Sequence, residues 1–270
     1  MMTDVTTGQK TRKIRAHKEI INSVDRTMAA GSGTELVATG SDDGTVKIWE
    51  GGEDAGKIPV ATFDVGYPVT AVCWGKDGNA VYVGAIDNEV HVGSIFLITQ
   101  KCLFMFCQVY DLRKGSQVSS LVAHVDTPTS LCISPNGDYL LSPSFSSQTI
   151  IWDVRPFSPS PNRIHRVLQG APAGFENTLL KGAWSRDDGG RRAALGGADR
   201  MVCIWEVDSG KILYKVCITS TIVLSSFLPF FFQLPGHKGT VTAVDFHPKE
   251  PISKHFYFSR DHFINTLHQS

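Results

Sequence analysis

Apolar and polar positions along the chain repeat with a period of two, in runs too short for amphipathic helices. In Thr45-Val-Lys-Ile-Trp49, Val46 and Ile48 fall on one face and the polar positions on the other, the pattern of a half-buried strand. Ala80-Val-Tyr-Val83, Tyr139-Leu-Leu141 and Arg192-Ala-Ala-Leu195 are short apolar runs of strand length. Each follows a turn signal: Asp77-Gly78, Asn136-Gly137 or Asp188-Gly189. Such pairs supply the positive φ angles of tight hairpins. No convincing helical period lies between these runs. The pattern predicts an all-β chain.

The runs recur. Thr39-Gly-Ser-Asp-Asp-Gly-Thr-Val-Lys-Ile-Trp49-Glu50 matches Gly197-Ala-Asp-Arg-Met-Val-Cys-Ile-Trp205-Glu206 and, in part, Gln148-Thr-Ile-Ile-Trp152-Asp153. Asp43 and Asp199 each lie six residues before their Trp, where the third copy has Ser146. A fourth copy, Ala85-Ile-Asp87-Asn-Glu-Val-His-Val92, lacks its Trp on schedule; the matching aromatic-acid pair is Tyr110-Asp111. Discounting the 17 residues 93–109, the closing aromatics at 49, 110, 152 and 205 fall 44, 42 and 53 residues apart. A four-stranded propeller blade takes about 40–45 residues.

These residues resemble the WD-repeat β-propeller family. The resemblance implies a hydrogen-bonded set in each blade: a His in the loop leading in, a turn Asp, a Ser or Thr, and the Trp. The matching residues are His17, Asp43 and Trp49 in the first full unit, Asp87 and Tyr110 in the second, His124 and Trp152 in the third, and Asp199 and Trp205 in the fourth. Ser146 breaks the third set. His237 opens a fifth unit whose closing half has no Trp-Asp pair. The organisation expected is one incomplete propeller over 1–270. It comprises blades over 9–50, 57–112 (with an insert at 93–109) and 117–154, then a linker and lead-in over 155–178. A blade over 179–215 is followed by an insert at 216–233 and an incomplete last blade over 234–270. That makes four to five recognisable blades of an expected seven, with about two missing before the start.

Two segments do not fit the repeat. Removing Gly93–Val109 joins Val92 to Tyr110, and removing Val216–Gln233 joins Lys215 to Leu234; both restore blade endings. The second segment is uncharged and of near-membrane length. Pro229, its hydroxyl residues and its position between blades argue against a span. Val-Cys can be encoded by the form of a 5′ splice signal, and Phe230-Phe-Phe-Gln233 by a pyrimidine tract ending in CAG. Both segments therefore read as translated introns, with a functional insertion and a membrane segment as the alternatives.

Composition narrows function. Lys+Arg and Asp+Glu are both 26, so the basic excess of a phosphate-binding protein is missing. Lys10-Thr-Arg-Lys-Ile-Arg15 is a local basic stretch, read as a charged edge strand or an RNA contact. The six Cys form no Cys-x-x-Cys pair, which excludes the common zinc spacing and suits a reducing compartment. No signal peptide precedes the repeats. The acid pairs Asp42-Asp43 and Asp187-Asp188 fall in Gly-containing turns, and no Ser sits in a Gly-x-Ser-x-Gly elbow. Neither a catalytic set, a metal site nor a cofactor site is predicted.

Further strings narrow the resemblance: Trp152-Asp-Val-Arg-Pro-Phe157 with its Pro/Ser linker, Gly174-Phe-Glu-Asn-Thr-Leu-Leu-Lys-Gly-Ala-Trp184, Leu234-Pro-Gly-His237 and Phe246-His-Pro-Lys-Glu-Pro251. They are similar to WD-repeat subunits of the spliceosome. That resemblance implies a nuclear, non-enzymatic scaffold in pre-mRNA splicing, bound to a large Prp8-type splicing factor and other spliceosomal proteins, with weak or indirect RNA contact and no membrane. A substrate-recruiting subunit of a ubiquitin ligase or a signalling scaffold is the other reading. Residues beside the turn acids (Asp42, Ile86, Ala198), together with Arg155 and Phe157, are the candidate partner contacts.

Overall fold

The computed structural model describes residues 2–3, 10–12, 14–28, 33–51, 56–78, 80–94, 119–158, 160–186, 189–216, 239–246, 253–256 and 264–266. These form strands and turns, with no helix among them. Tyr110, His237 and nearly all of both intron-like segments lie outside the described residues. The chain divides into two compact units, Met1–Ile133 and Ser134–Ser270.

In the first unit, β1 (Met2–Thr3) pairs antiparallel with β2 (Lys10–Arg12), so part of the basic stretch is a strand. Two four-stranded antiparallel meanders follow. One consists of β3 (Ile21–Met28), β4 (Glu35–Ser41), β5 (Thr45–Glu50) and β6 (Ala61–Asp64). The other consists of β7 (Val69–Trp74), β8 (Ala80–Ala85), β9 (Glu89–Ser94) and β10 (Ser119–Val122). The short β11 (Cys132–Ile133) ends the unit. In the second unit β12 (Tyr139–Pro143), β13 (Thr149–Asp153) and β14 (Ile164–Leu168) pair in sequence order. Another four-stranded meander, β15 (Gly182–Trp184), β16 (Arg192–Gly196), β17 (Val202–Glu206) and β18 (Ile212–Val216), comes next. A three-stranded sheet of β19 (Ala243–Phe246), β20 (Ser253–Phe256) and β21 (Ile264–Thr266) closes the chain.

Sequence repeat and sheet are out of phase. Counted from Trp to Trp, a repeat ends at Trp49, yet the sheet takes one more strand, β6, from beyond it. The same holds for β14 after Trp152 and β18 after Trp205. These three sheets are thus locked by a strand that belongs to the next repeat. The segment absent from the description between Ser94 and Ser119 falls between the third and fourth strands of one sheet. The segment after Val216 falls after a completed sheet.

Burial follows position in the meander. All six residues of β7 are buried, and β8, β12 and β16 are buried from their second residue on. The last strands are wetter: Ile212, Leu213 and Tyr214 of β18 are exposed. In the first unit, Leu36, Ala38, Val46, Ile48 and Phe63 of one sheet pack on Val69, Val72, Trp74, Val81 and Val83 of the other. Polar side chains of β3 bind the β7 backbone beside this core. Asn22 Nδ2 donates to the Val69 carbonyl at 2.9 Å, the Val72 amide to Ser23 Oγ at 3.1 Å, and the Trp74 amide to Asp25 Oδ2 at 2.7 Å. An edge strand thereby finds partners for its neighbour's backbone groups, which burial would otherwise make costly.

Neighbouring sheets approach closely at the end of the second strand. A Cβ on Gly40 would meet Val69 Cγ1 at 2.6 Å, and one on Gly196 would run into the Val241 carbonyl oxygen and side chain. Gly40 could be relieved by a side-chain shift. Gly196 cannot, because backbone stands in the way. Gly196→Ala should therefore destabilise the second unit by about 1–3 kcal/mol through overpacking, outweighing the usual gain of ~0.5–1 kcal/mol for removing a strand glycine. Urea unfolding of the two proteins measures the difference, and an unchanged or raised midpoint would contradict this packing.

Candidate functional site

The turn between the second and third strands recurs with one backbone geometry on four different sequences. Gly44, Asn88, Ser147 and Arg200 occupy the same place in their turns, with φ of 77°, 68°, 63° and 68°. Glycine is at ease there; Ser and Arg are held there against preference. Three of the turns close with an amide three residues on: Gly44 to Ser41 (3.2 Å), Ser147 to Ser144 (3.1 Å) and Arg200 to Gly197 (3.2 Å). An Asp caps three of them from within. Asp43, Asp87 and Asp199 each accept the amide two residues on, from Thr45, Glu89 and Met201. This local bond is why Asp suits the position.

In the first of these turns the cap extends into a buried relay. Trp49 Nε1 donates to Thr39 Oγ1 at 3.0 Å, and Thr39 Oγ1 lies 2.8 Å from His17 Nε2. His17 Nδ1 faces Asp43 at 3.0 Å and Thr45 Oγ1 at 3.1 Å. The Thr45 hydroxyl and the Lys18 amide also donate to Asp43. Burial alone would raise the Asp43 carboxyl. The Thr45 hydroxyl, the Lys18 and Thr45 amides and His17 outweigh it and hold Asp43 well below the usual carboxylate range. His17, Asp43 and Trp49 are thus joined by Thr39, which the sequence reading did not single out.

Hydroxyl, imidazole and carboxylate in this order are also the arrangement of a hydrolase triad. Thr39 and His17 are buried, and the Thr39 oxygen already takes the Trp49 indole proton. The relay is a structural tie between loop, turn and strand.

The other blades replace its members. Asp87 meets not a loop His but His91, two residues beyond Glu89 on β9, at 2.8 Å. Asp87, Glu89 and His91 place ligand atoms within 4.8 Å of one another, a set suited to a divalent cation. The turn-cap bonds of Asp87 account for the cluster without one. In the fourth unit Trp205 Nε1 donates to the Gln169 carbonyl at 2.9 Å. Lys215, reaching in from β18, bridges Asp199 at 3.0 Å and the Gly170 carbonyl at 2.9 Å. A lysine from the fourth strand fills the role that His17 has in the first. At the broken third set, Ser146 meets Ser144 through a 2.6 Å hydroxyl pair. Trp152 is fully buried there, and burial pushes the His124 imidazole down to about 4.

Candidate contact residues fall at equivalent places. The amides of Asp42, Ile86 and Ala198 donate to Ile20, Pro68 and Pro172 carbonyls in their lead-in loops. Ile86 is exposed, while Asp42 and Ala198 are half-buried. Arg155 and Phe157 lie elsewhere, in the loop between β13 and β14.

Comparison with known families places these sheets. The family model "WD domain, G-beta repeat" matches residues 8–50 and 115–153. WD repeats are found over these two stretches, and the four-stranded antiparallel sheets are consistent with WD blades. It is similar to the U5 small nuclear ribonucleoprotein 40 kDa protein of Homo sapiens, 35% identical over 249 residues, which cover 92% of this chain and 57% of that protein. The protein of the same name in Dictyostelium discoideum is 35% identical over 250 residues, 92% of this chain and 58% of that one. The pre-mRNA-splicing factor cwf17 of Schizosaccharomyces pombe is 31% identical over 267 residues, covering 99% of this chain and 65% of that protein. The chain thus spans about three fifths of the length of the curated relatives it matches.

Two measurements probe the relay and its departures. Thr39→Val keeps the shape but strands the Trp49 indole and the His17 imidazole, and should cost about 1–3 kcal/mol in denaturant unfolding; a neutral result would remove Thr39 from the relay. His124 is held neutral when folded and takes up a proton when unfolded. Its contribution is intact above its ordinary value of 6.5 and is lost as pH falls toward 4, by up to about 3 kcal/mol. His124→Gln should flatten stability against pH over that window, as followed by urea midpoints.

Proposed function

We propose that the chain is a non-enzymatic scaffold of pre-mRNA splicing, acting in the nucleus within the U5 small nuclear ribonucleoprotein. The observation that carries the reading is similarity over 92% of the chain to proteins of that particle in organisms as distant as human and Dictyostelium, joined by a splicing factor of fission yeast. WD blades are a rigid frame whose loops offer binding surface. In the first unit, Ile20, Tyr67, Ile86 and Val125 are exposed on such loops. Asp42 and Ile86 are tied to their lead-in loops by backbone bonds, and Asn88 reaches the Val125 carbonyl at 3.4 Å. This surface suits a protein partner, and the large Prp8-type splicing factor is the one we propose.

Equal numbers of basic and acidic residues make protein contacts, not phosphate neutralisation, the source of affinity. Tagged protein should recover U5 proteins, the Prp8-type factor among them, from nuclear extract, and recovery should survive nuclease and moderate salt. Recovery of cullin-type ligase components instead would replace the splicing reading. Loss on nuclease treatment, or a steep salt dependence, would replace direct protein contact by RNA attachment.

A further inference from the structure

Ser-Pro or Thr-Pro pairs occur in the chain at Thr127, Ser134, Ser142, Ser158 and Ser160. A proline after the hydroxyl residue is what one class of protein kinase reads, because proline has no N–H and leaves no backbone donor stranded in the kinase groove. The fold treats the pairs unequally. Thr127, Ser134 and Ser142 are buried. The Ser158 hydroxyl is engaged inside the loop between β13 and β14, where it donates to Asp153 Oδ2 at 3.1 Å and accepts the Ser160 amide at 3.4 Å. Ser160 is half-buried, and Pro161 and Asn162 after it are exposed. Ser160 also has a cation three residues on, Arg163, where the other pairs have Ser130, Gly137, Phe145 and Pro161.

Ser160 begins a tight turn. The Arg163 amide donates to the Ser160 carbonyl at 3.1 Å, with Pro161 in the second position, where its fixed φ suits the turn. The Ser160 hydroxyl donates to Asn162 Oδ1, which also accepts the Ile164 amide at 3.2 Å where β14 begins. Arg163 sits in the left-handed region at φ 56°, a conformation its side chain disfavours. Its Nη1 donates to the carbonyls of Asp153 and Arg155 at 3.3 and 2.8 Å. One hydroxyl and one guanidinium thus hold the far half of the loop closed. Arg155 is committed to the Asp153 carboxylate through Nε at 2.9 Å and Nη2 at 2.6 Å. Arg163, which bonds neutral carbonyls, is the cation that a new anion on Ser160 can recruit.

We propose that Ser160 is a phosphorylation site for a proline-directed kinase that reads a basic residue three positions after the serine, and that the phosphate opens the 153–163 loop. The kinase moves the γ-phosphoryl group of ATP to Ser160 Oγ. The bond from Pγ to the leaving ADP oxygen breaks, the Oγ–Pγ bond forms, and the hydroxyl proton passes to the carboxylate base of the kinase. The donor to Asn162 Oδ1 becomes a charged acceptor, so the Asn162 side chain turns away and releases the Ile164 amide. Arg163, across the turn, exchanges two neutral carbonyls for phosphate oxygens, because charge-assisted bonds are the stronger. The clamp on the Asp153 and Arg155 carbonyls goes with it. The site rests on the geometry of this loop and does not depend on the splicing reading.

The test incubates the folded full chain with ATP, magnesium and a cyclin-dependent kinase, and maps phosphate by tandem mass spectrometry. Phosphate should appear on Ser160, and Ser160→Ala should abolish it there. Arg163→Gln should slow incorporation roughly tenfold, the effect of losing one charged contact to the kinase, although it also loosens the loop. Arg163→Lys should restore most of the rate. In the phosphorylated protein, amide hydrogen exchange at Arg163 and Ile164 should speed up severalfold while that of β13 stays unchanged. Protein isolated from cells kept in phosphatase inhibitor should carry the same phosphate. Phosphate on Ser158 or the buried pairs instead, Arg163→Gln modified as fast as the parent, or no phosphate on Ser160 in cells would overturn the site. So would a peptide spanning 155–168 that accepts the phosphate the folded chain refuses. Unchanged exchange would overturn the opening of the loop. Recovery of U5 proteins is a separate readout, so the phosphorylation site and the proposed function fail independently.

Discussion

A strand-to-strand turn forced into the left-handed region is the constraint on which these sheets depend. The turn needs one residue with positive φ and one acceptor for the amides that the tight backbone leaves over. Gly44 and Asp43 meet both needs cheaply. Once the turn is fixed, its Asp stands where a buried His can meet it, and Thr39 and Trp49 complete the tie between lead-in loop, turn and third strand.

The other units show what is essential in that tie and what can be exchanged. Backbone geometry survives at Asn88, Ser147 and Arg200 although none is glycine. The group opposite the carboxylate changes its origin: His17 from the lead-in loop, His91 from the third strand, Lys215 from the fourth. Any proton donor that reaches the buried side of the turn serves, because the requirement is electrostatic. A carboxylate losing water needs a compensating donor, whatever strand supplies it. The resemblance to a hydrolase triad follows from the same chemistry, with Thr39 and His17 buried and the Thr39 oxygen accepting from the Trp49 indole.

Function then falls to what the ties leave outside. Loops fixed at both ends offer side chains at low entropic cost, which suits recognition better than turnover. Ile86 in the first unit is carried on a turn whose backbone amide bonds the Pro68 carbonyl of its lead-in loop. Rigidity from the sheets and variety from the loops is the division of labour that lets one repeat serve different partners.

Sequence by itself determined the all-β class, the recurring units and the places of His17, Asp43 and Trp49. The class, the units, Asp43 and Trp49 rest on local chemistry (alternation within strands, Asp-Gly at turns, and an aromatic at fixed distance from an acid), and His17 rests on the resemblance to WD repeats. Tertiary structure decided the rest. Thr39 is an ordinary strand threonine until β4 and β5 bring it under the indole. Lys215 carries no role in the sequence reading, and the pairing of β18 with β17 brings it to Asp199. The strands β6, β14 and β18 come from beyond the Trp that ends each repeat, so a motif boundary does not mark a sheet boundary. Partners that meet across strands have no fixed spacing along the chain, and only the register of the sheets brings them within hydrogen-bond reach.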